Sequence, residues 1–130
     1  MEEQGSSRTT EDSKEFHLYS ETTARETKAA LYRRNKTTNE LEIVNFMSDT
    51  FTSAQQKYTT LEKEMLSLSV AIWTFQHDIY GHHTKIHVEG NIFNVARRMK
   101  KTNLRMEKWI AFMDLFDYSV ERTIENTETN

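Results

Sequence analysis

Apolar and polar side chains alternate in five short segments of the chain, and such alternation is typical of β-strands. The predicted strands cover residues 16–20, 28–33, 41–46, 85–89 and 118–124. Short polar segments join the first three strands, which predicts an antiparallel meander. The fourth strand follows a long helical segment, so it can pair in parallel with a strand of the meander.

Between the third and fourth strands the apolar period changes to that of a helix. Thr59 and Glu62 have the spacing of a capping box at its start, and Gly81 is expected to end it. Apolar side chains four and three residues apart trace one face: Leu61, Met65, Leu68, Ile72, Phe75 and Ile79. A second apolar stripe follows another side: Leu66, Val70 and Trp73. A helix that is apolar on two sides is expected to pack between two other elements.

Two further helices are predicted at residues 92–99 and 102–116, and residues 53–57 are interpreted as a polar connection. The resulting order, β-β-β-α-β-α-α-β, predicts an α/β fold in which helices flank a five-stranded mixed sheet. The globular domain is expected to cover residues 16–124. Residues 1–15 are predicted to be a polar, disordered arm, and residues 125–130 a polar tail.

The composition excludes several kinds of site. The 130 residues include no cysteine, which excludes disulfides, thiolate metal sites and cysteine nucleophiles. No segment has the apolar pattern of a secretory signal or a membrane span. An intracellular protein with no membrane partner is therefore expected.

The net charge of −3, from 17 basic and 20 acidic residues, does not favour nucleic-acid binding by the chain as a whole. One region is nevertheless basic, and its candidate phosphate-binding residues are Arg97, Arg98, Lys100, Lys101 and Arg105. Such a cluster can bind the phosphates of a nucleic acid. The alternative is an ordinary solvated basic surface.

Four histidines also lie close together in the sequence: His77, His82, His83 and His87. Clusters of imidazoles can bind Zn²⁺, but this spacing matches no recognised zinc site. We interpret the four as surface residues that could titrate near neutral pH.

Several local motifs follow one another in the order and spacing of a known family. They are Ala-Ala-Leu at 29–31, Tyr-Thr-Thr-Leu-Glu-Lys-Glu-Met-Leu at 58–66 with Ala-Ile-Trp at 71–73, Asp-Ile-Tyr-Gly at 78–81, and Arg-Met-Glu-Lys-Trp at 105–109 with Asp-Tyr at 117–118. Through these motifs the chain resembles the ribonuclease H domain of gypsy-class LTR-retrotransposon reverse transcriptase polyproteins. The resemblance extends over residues 16–124.

The resemblance implies a two-metal nuclease site in which four carboxylates hold two Mg²⁺ ions, or Mn²⁺, and the RNA strand of an RNA–DNA hybrid is cut. By position, the candidate catalytic and metal-binding residues are Glu21, Glu64 and Glu89. The family has aspartate at the first and third of these positions. In the family, the fourth acid lies on a final helix beyond the fifth strand. Because the given chain stops at Asn130, the final helix and its acid are both expected to be missing.

These differences favour a degenerate site. Glutamate places its carboxylate one methylene further from the backbone than aspartate, whereas Mg²⁺ requires near-ideal octahedral geometry. The family also has glycines where this chain has Glu26 and Lys28, whose bulk would hinder a hybrid backbone. Simpler interpretations remain open: Glu64 could be a helix first-turn acid, and Glu21 and Glu89 solvated acids at strand ends.

Three functions are consistent with the sequence. The first is a ribonuclease H-like domain with little or no cleavage, which retains a binding or scaffolding role. The second is an active two-metal ribonuclease H. The third is a protein-interaction module without nucleic-acid binding. Expected partners are an RNA–DNA hybrid or another nucleic acid, bound through the basic region, and other parts of a reverse transcriptase polyprotein.

Overall fold

The structure, a computed structural model, describes residues 15–123. Its strands are β1 (Phe16–Thr22), β2 (Glu26–Arg34), β3 (Leu41–Thr50), β4 (Thr84–Glu89) and β5 (Tyr118–Thr123). Its helices are α1 (Ser53–Gln56), α2 (Thr60–Ile79), α3 (Ile92–Met99) and α4 (Leu104–Met113). The predicted arm (except Glu15), the tail, the last position of the fifth strand and the question of a final helix all lie outside the described residues.

The five strands form one mixed sheet in the order β3-β2-β1-β4-β5. Strands β1, β2 and β3 are antiparallel neighbours, as predicted for the meander. Strand β4 pairs in parallel with β1, and β5 in parallel with β4. The central position of β1 brings its carboxyl end beside that of β4, because the two strands run in the same direction.

Two predictions between β2 and α2 are wrong. Strand β3 continues four residues beyond the predicted end, because the polar residues Ser48 and Asp49 still pair with Lys28 and Thr27 of β2. The polar connection contains the short helix α1, which Thr52 and Gln55 cap reciprocally. Backbone pairing with β2 extends β3, and side-chain capping forms α1. The apolar pattern of the sequence predicts neither.

Helix α2 begins and ends where local residues predict. Thr59 and Glu62 form the capping box, and Gly81 has a φ of 85°, a left-handed conformation that favours glycine. The predicted first stripe packs against the sheet. The prediction that the second stripe is also covered is wrong for Trp73, whose side chain is 62% exposed, and Val70 is only half-buried.

The core lies on one face of the sheet, beneath α2 and α4. Strand side chains Leu18, Leu31 and Ile86 meet the first stripe of α2 and the buried side of α4. The buried residues of α4 are Met106, Ile110 and Met113. The opposite face of the sheet exposes Ile43 and Phe46. Within residues 15–123, no helix is long and apolar enough to cross a membrane.

Candidate active site

The three predicted glutamates line one cavity of about 350 Å³ at the carboxyl ends of β1 and β4. Glu21 comes from β1, Glu89 from the last position of β4, and Glu64 from the second turn of α2. Parallel pairing of β1 with β4 places the first two glutamates at the same edge of the sheet. The structure therefore brings the predicted residues into one region.

The carboxylates reach this region from different sides of the sheet. Leu18 is buried beneath α2, and the Thr22 hydroxyl donates a hydrogen bond to Ser67 Oγ of α2 across 3.2 Å. Because side chains alternate along a strand, Glu21 points to the face of the sheet that lies away from α2. Its neighbour across the β1–β2 pair is Lys28. The same alternation puts buried Val88 towards the helices and Glu89 away from them, whereas Glu64 comes from the helical side.

The three glutamates are not grouped as the ligands of one ion. Among residues 15–123, no three histidine, aspartate or glutamate side chains lie close enough together to hold one. Two-metal catalysis requires carboxylates that converge on ions about 3.5–4 Å apart. The three glutamates share a cavity, but they do not form that donor set.

The environment of Glu64 raises the pKa of its carboxyl. Burial raises the pKa of this carboxyl, and the nearby charge of Glu89 raises it further. Each effect disfavours the ionised form of Glu64, whereas a bound cation would favour it. The cavity is thus a place where negative charge is unfavourable.

The wall of the cavity includes His87, which contacts a histidine that sequence analysis overlooked. His17 Nδ1 and His87 Nε2 are hydrogen-bonded across 3.0 Å, and the His87 ring stacks on Tyr19 with centroids 4.2 Å apart. Burial lowers the pKa of both histidines. No sequence spacing could identify this pair, because it forms only when β4 pairs with β1.

The other predicted histidines are dispersed. His77 is exposed on α2, and His83 bonds Asp117 and Ser119 beside the start of β5. Of the four, only His77 is exposed, and His82, His83 and His87 are each half-buried. His87 lies inside β4 and against Tyr19.

Two of the five predicted phosphate-binding residues form side-chain bonds within the domain, and three do not. Arg97 donates two hydrogen bonds to Asp114, across 3.1 and 3.0 Å, and one to the Tyr118 hydroxyl across 2.7 Å. These contacts raise the pKa of Arg97 and lower that of Asp114. The remaining members, apart from Arg105, are exposed and form no ion pair within residues 15–123: Arg98, Lys100 and Lys101.

Arg105 instead binds Glu62, a buried residue that sequence analysis identified only as a helix cap. Glu62 Oε2 accepts hydrogen bonds from Arg105 Nη2 across 2.9 Å and Asn103 Nδ2 across 2.8 Å. Burial alone would raise the pKa of Glu62, but bonds from Asn103, the Thr59 backbone and Arg105 outweigh it and hold the pKa below its usual value. The Glu-Lys-Glu run in the family motif therefore contains a structural acid and a cavity acid, two residues apart.

Comparison with known proteins agrees with the fold. A family model described as "RNase H-like domain found in reverse transcriptase" matches residues 11–116. A foamy virus protease-reverse transcriptase solved with double-stranded DNA has a TM-score of 0.61 and 15% identity, over 87% of this chain and 20% of that one. The foamy virus enzyme solved with an RNA/DNA hybrid also has a TM-score of 0.61 and 15% identity, over 86% of this chain and 15% of that one.

The native prototype foamy virus protein has a TM-score of 0.60 and 14% identity, and the match covers 87% of this chain and 15% of that one. This chain therefore spans about a fifth or less of the reverse transcriptase chains it resembles. At such low identity the similarity is one of fold. No curated protein matched the sequence.

Proposed function

The chain belongs to the family of RNase H-like domains found in reverse transcriptase, and from that membership we propose that it is a copy with little or no nuclease activity. In this proposal it serves a reverse transcriptase polyprotein of the gypsy class as a binding or scaffolding domain. The motif at residues 58–66 supports the gypsy assignment. The proposal concerns one domain, since the chain is a fraction of the length of its solved relatives.

One observation carries the proposal: the candidate carboxylates do not converge. Glu64 lies on the helical side of the sheet, while Glu21 and Glu89 alternate towards the other face. Burial raises the pKa of Glu64, and the charge of Glu89 raises it further, so the ionised form of Glu64 is disfavoured in this cavity. A ligand displaced by about an ångström can reduce a rate on the order of 10²-fold, and the three glutamates are not grouped around one position.

The exposed basic residues support retention of nucleic-acid binding. Arg98, Lys100 and Lys101 lie at the end of α3 and just after it, with no acidic partner among the described residues. The foamy virus relatives were solved with double-stranded DNA and with an RNA/DNA hybrid. We propose that these basic residues bind the phosphates of an RNA–DNA hybrid without sequence preference.

Cleavage of a labelled RNA–DNA hybrid in Mg²⁺ and in Mn²⁺ tests the proposal. The native chain, Glu64→Ala and Glu107→Ala would be compared, because Glu107 is an exposed acid of α4 outside the cavity. We expect no product from any of the three, while hybrid binding persists in all. Circular dichroism would establish that each protein is folded.

An active two-metal ribonuclease H is the second candidate, and the common cavity of Glu21, Glu64 and Glu89 favours it. Mg²⁺ or Mn²⁺ would then be the cofactor. Cleavage that Glu64→Ala abolishes and Glu107→Ala leaves intact would establish this candidate and exclude the inactive copy.

A further inference from the structure

A serine, a histidine and an aspartate form a continuous hydrogen-bonded chain where β4 and β5 begin. Ser119 Oγ lies 2.8 Å from His83 Nε2, and His83 Nδ1 lies 3.0 Å from Asp117 Oδ1. The two contacts use the two different nitrogens of the imidazole ring. This is the connectivity of a nucleophile, a general base and an acid that orients the base.

The pairing of β4 with β5 brings the three residues together. Thr84 and Tyr118 are register partners, and the Thr84 N–H donates a hydrogen bond to the Asp117 carbonyl across 3.0 Å. His83 directly precedes Thr84, so its side chain lies beside the start of β5. Asp117 and Ser119 flank Tyr118, and residues two apart in an extended chain point to the same side. The histidine ring therefore contacts both.

Asp117 determines which nitrogen of His83 is available as a base. A carboxylate only accepts hydrogen bonds, so Nδ1 of the neutral ring carries the proton and donates it to Asp117. The lone pair then lies on Nε2, to which the Ser119 hydroxyl donates. Glu15 Oε2 also approaches Nε2, but at 3.8 Å it is beyond hydrogen-bonding distance. The serine is thus the group whose proton His83 can take.

A cation lies beside the serine hydroxyl. Lys85 is the register partner of Ser119. Because the next residue of β4, Ile86, is buried in the core, Lys85 and Ser119 both point to the face of the sheet away from the helices. Neighbouring strands are about 5 Å apart, which a lysine side chain can span. The Lys85 ammonium forms no ion pair within residues 15–123, so it can stabilise an oxyanion next to Ser119 Oγ.

The group is accessible from solvent. The His83 side chain is 35% exposed and that of Asp117 is 72% exposed, while Ser119 and Lys85 are half-buried. An open site supplies little binding energy with which to promote a difficult step. This exposure therefore suits a small substrate whose leaving group departs easily.

We propose that Ser119 is an activated nucleophile and that this site hydrolyses small activated carboxylic esters through an acyl-serine. The site is independent of the glutamate cavity, which lies at the carboxyl ends of β1 and β4 and includes none of these residues in its lining. The ester hydrolysis would therefore occur whether or not the chain cleaves RNA.

The reaction has two steps, and the same proton acceptor serves both. In the first, Ser119 Oγ forms a bond to the carbonyl carbon, its proton moves to His83 Nε2, and Lys85 stabilises the oxyanion. The bond to the leaving oxygen then breaks, and this oxygen takes the proton from Nε2. In the second step a water molecule gives a proton to Nε2 and attacks the acyl carbon. The bond to Ser119 Oγ breaks, and Oγ recovers the proton as the carboxylic acid departs.

Hydrolysis of p-nitrophenyl acetate by the full chain measures the activity. A general base typically contributes about 10²–10⁴-fold to a rate. Since other surface imidazoles also react slowly with this ester, we expect Ser119→Ala to lower the observed rate by at least about tenfold. Ser48→Ala is the matched control, because Ser48 is exposed on the same face and pairs with Lys28, but no histidine of the described residues bonds its hydroxyl. This control should keep the native rate.

Covalent labelling identifies the nucleophile. Diisopropyl fluorophosphate forms a phosphorus–oxygen bond with an activated serine and releases fluoride, while the hydroxyl proton passes to the general base. Mass spectrometry of peptides from the native chain should place the label on Ser119. The label should be lost in His83→Gln and kept in His77→Gln, which replaces an exposed histidine of α2.

Two further variants test the positioning residue and the cation. Asp117→Asn should lower kcat by at least about tenfold and leave KM unchanged, because an amide can donate to Nδ1 and favour the wrong tautomer. Asp117→Glu should recover part of that loss. Lys85→Met should also lower kcat rather than raise KM, since the oxyanion forms only during the reaction. Thermal melts equal to that of the native chain would exclude unfolding as the cause.

Several outcomes would overturn the proposal. A native rate no greater than that of Ser119→Ala would assign the hydrolysis to other groups. Equal labelling of Ser119 and Ser48, or no label on a chain that circular dichroism shows to be folded, would mean that the hydroxyl is not activated. Native activity in His83→Gln would exclude His83 as the base. In each case the three residues would only join the start of β4 to β5.

Discussion

Arg105 Nη2 donates a hydrogen bond to Glu62 Oε2 across 2.9 Å, and this pair joins the first turn of α4 to the first turn of α2. The same carboxylate accepts the Thr59 backbone N–H across 2.9 Å and the Asn103 side chain. The Arg105 guanidinium also lies over the Tyr58 ring, 4.3 Å from its centroid. The predicted phosphate-binding role of Arg105 therefore competes with a role in the fold.

Replacement of Glu62 should destabilise the protein. Glu62→Ala removes a capping box and leaves Asn103 and Arg105 without their acceptor, at a site where the carboxylate is 7% exposed. We expect the free energy of unfolding in urea to fall by about 2–3 kcal/mol. Glu40→Ala, at an exposed turn, should change it by less than about 0.5 kcal/mol. Equal effects of the two variants would refute the structural role of Glu62.

Replacement of Glu64 should have the opposite effect. The folded-state pKa of this carboxyl is raised, so ionisation at neutral pH opposes folding, and this cost appears as pH rises above the unfolded pKa. Glu64→Gln should therefore raise the free energy of unfolding in urea at pH 7 by roughly 0.5–1 kcal/mol, and should change it little at pH 4. A loss of stability at pH 7 would contradict the inferred cost of burying this charge near Glu89.

Hybrid binding should depend on salt through the exposed basic residues. A variant in which Arg98, Lys100 and Lys101 are all alanine should reduce the slope of log affinity against log salt concentration by about 2–3. A control variant would replace three exposed cations elsewhere, namely Arg25, Lys36 and Lys57. An equal reduction in the control would show that binding is not localised at the end of α3.

Stability should fall between pH 7 and pH 5 because of the histidine pair. Burial lowers the folded pKa of His17 and His87, so their contribution is complete above the unfolded value of about 6.5 and declines as pH falls below it. Other charged groups that act on the pair are Glu15, Arg34, Lys85 and Glu121. Urea denaturation of His87→Gln should show a shallower pH dependence, whereas His77→Gln should match the native chain.

The predictable parts of the fold are those that local residues determine. Helix α2 follows from its capping box and Gly81, and the strands follow from alternation, since each of these signals spans only a few residues. The end of β3 does not follow from its own pattern, because Ser48 and Asp49 are held by β2. The exposure of Trp73 likewise depends on how far α4 extends beside α2.

The sequence predicts that the three candidate glutamates lie in one region, but it does not predict how they are arranged there. Motif positions indicate that Glu21, Glu64 and Glu89 belong to one region, and the cavity contains all three. The side of the sheet from which each carboxylate approaches depends on strand register, which no short motif encodes. The same limit applies to the bond between His17 and His87, which are 70 residues apart in the chain.

The central position of β1 also determines when the fold can be completed during synthesis. The meander can form as soon as β3 has left the ribosome, but one edge of β1 then stays unpaired until β4 emerges, more than 60 residues after β1. Until α2 docks, the apolar side chains of Leu18 and Leu31 remain in water, and exposed strand edges with apolar faces favour aggregation. Because its central pairing is so distant in sequence, this domain is expected to fold slowly and late, and to benefit from chaperones while it is translated.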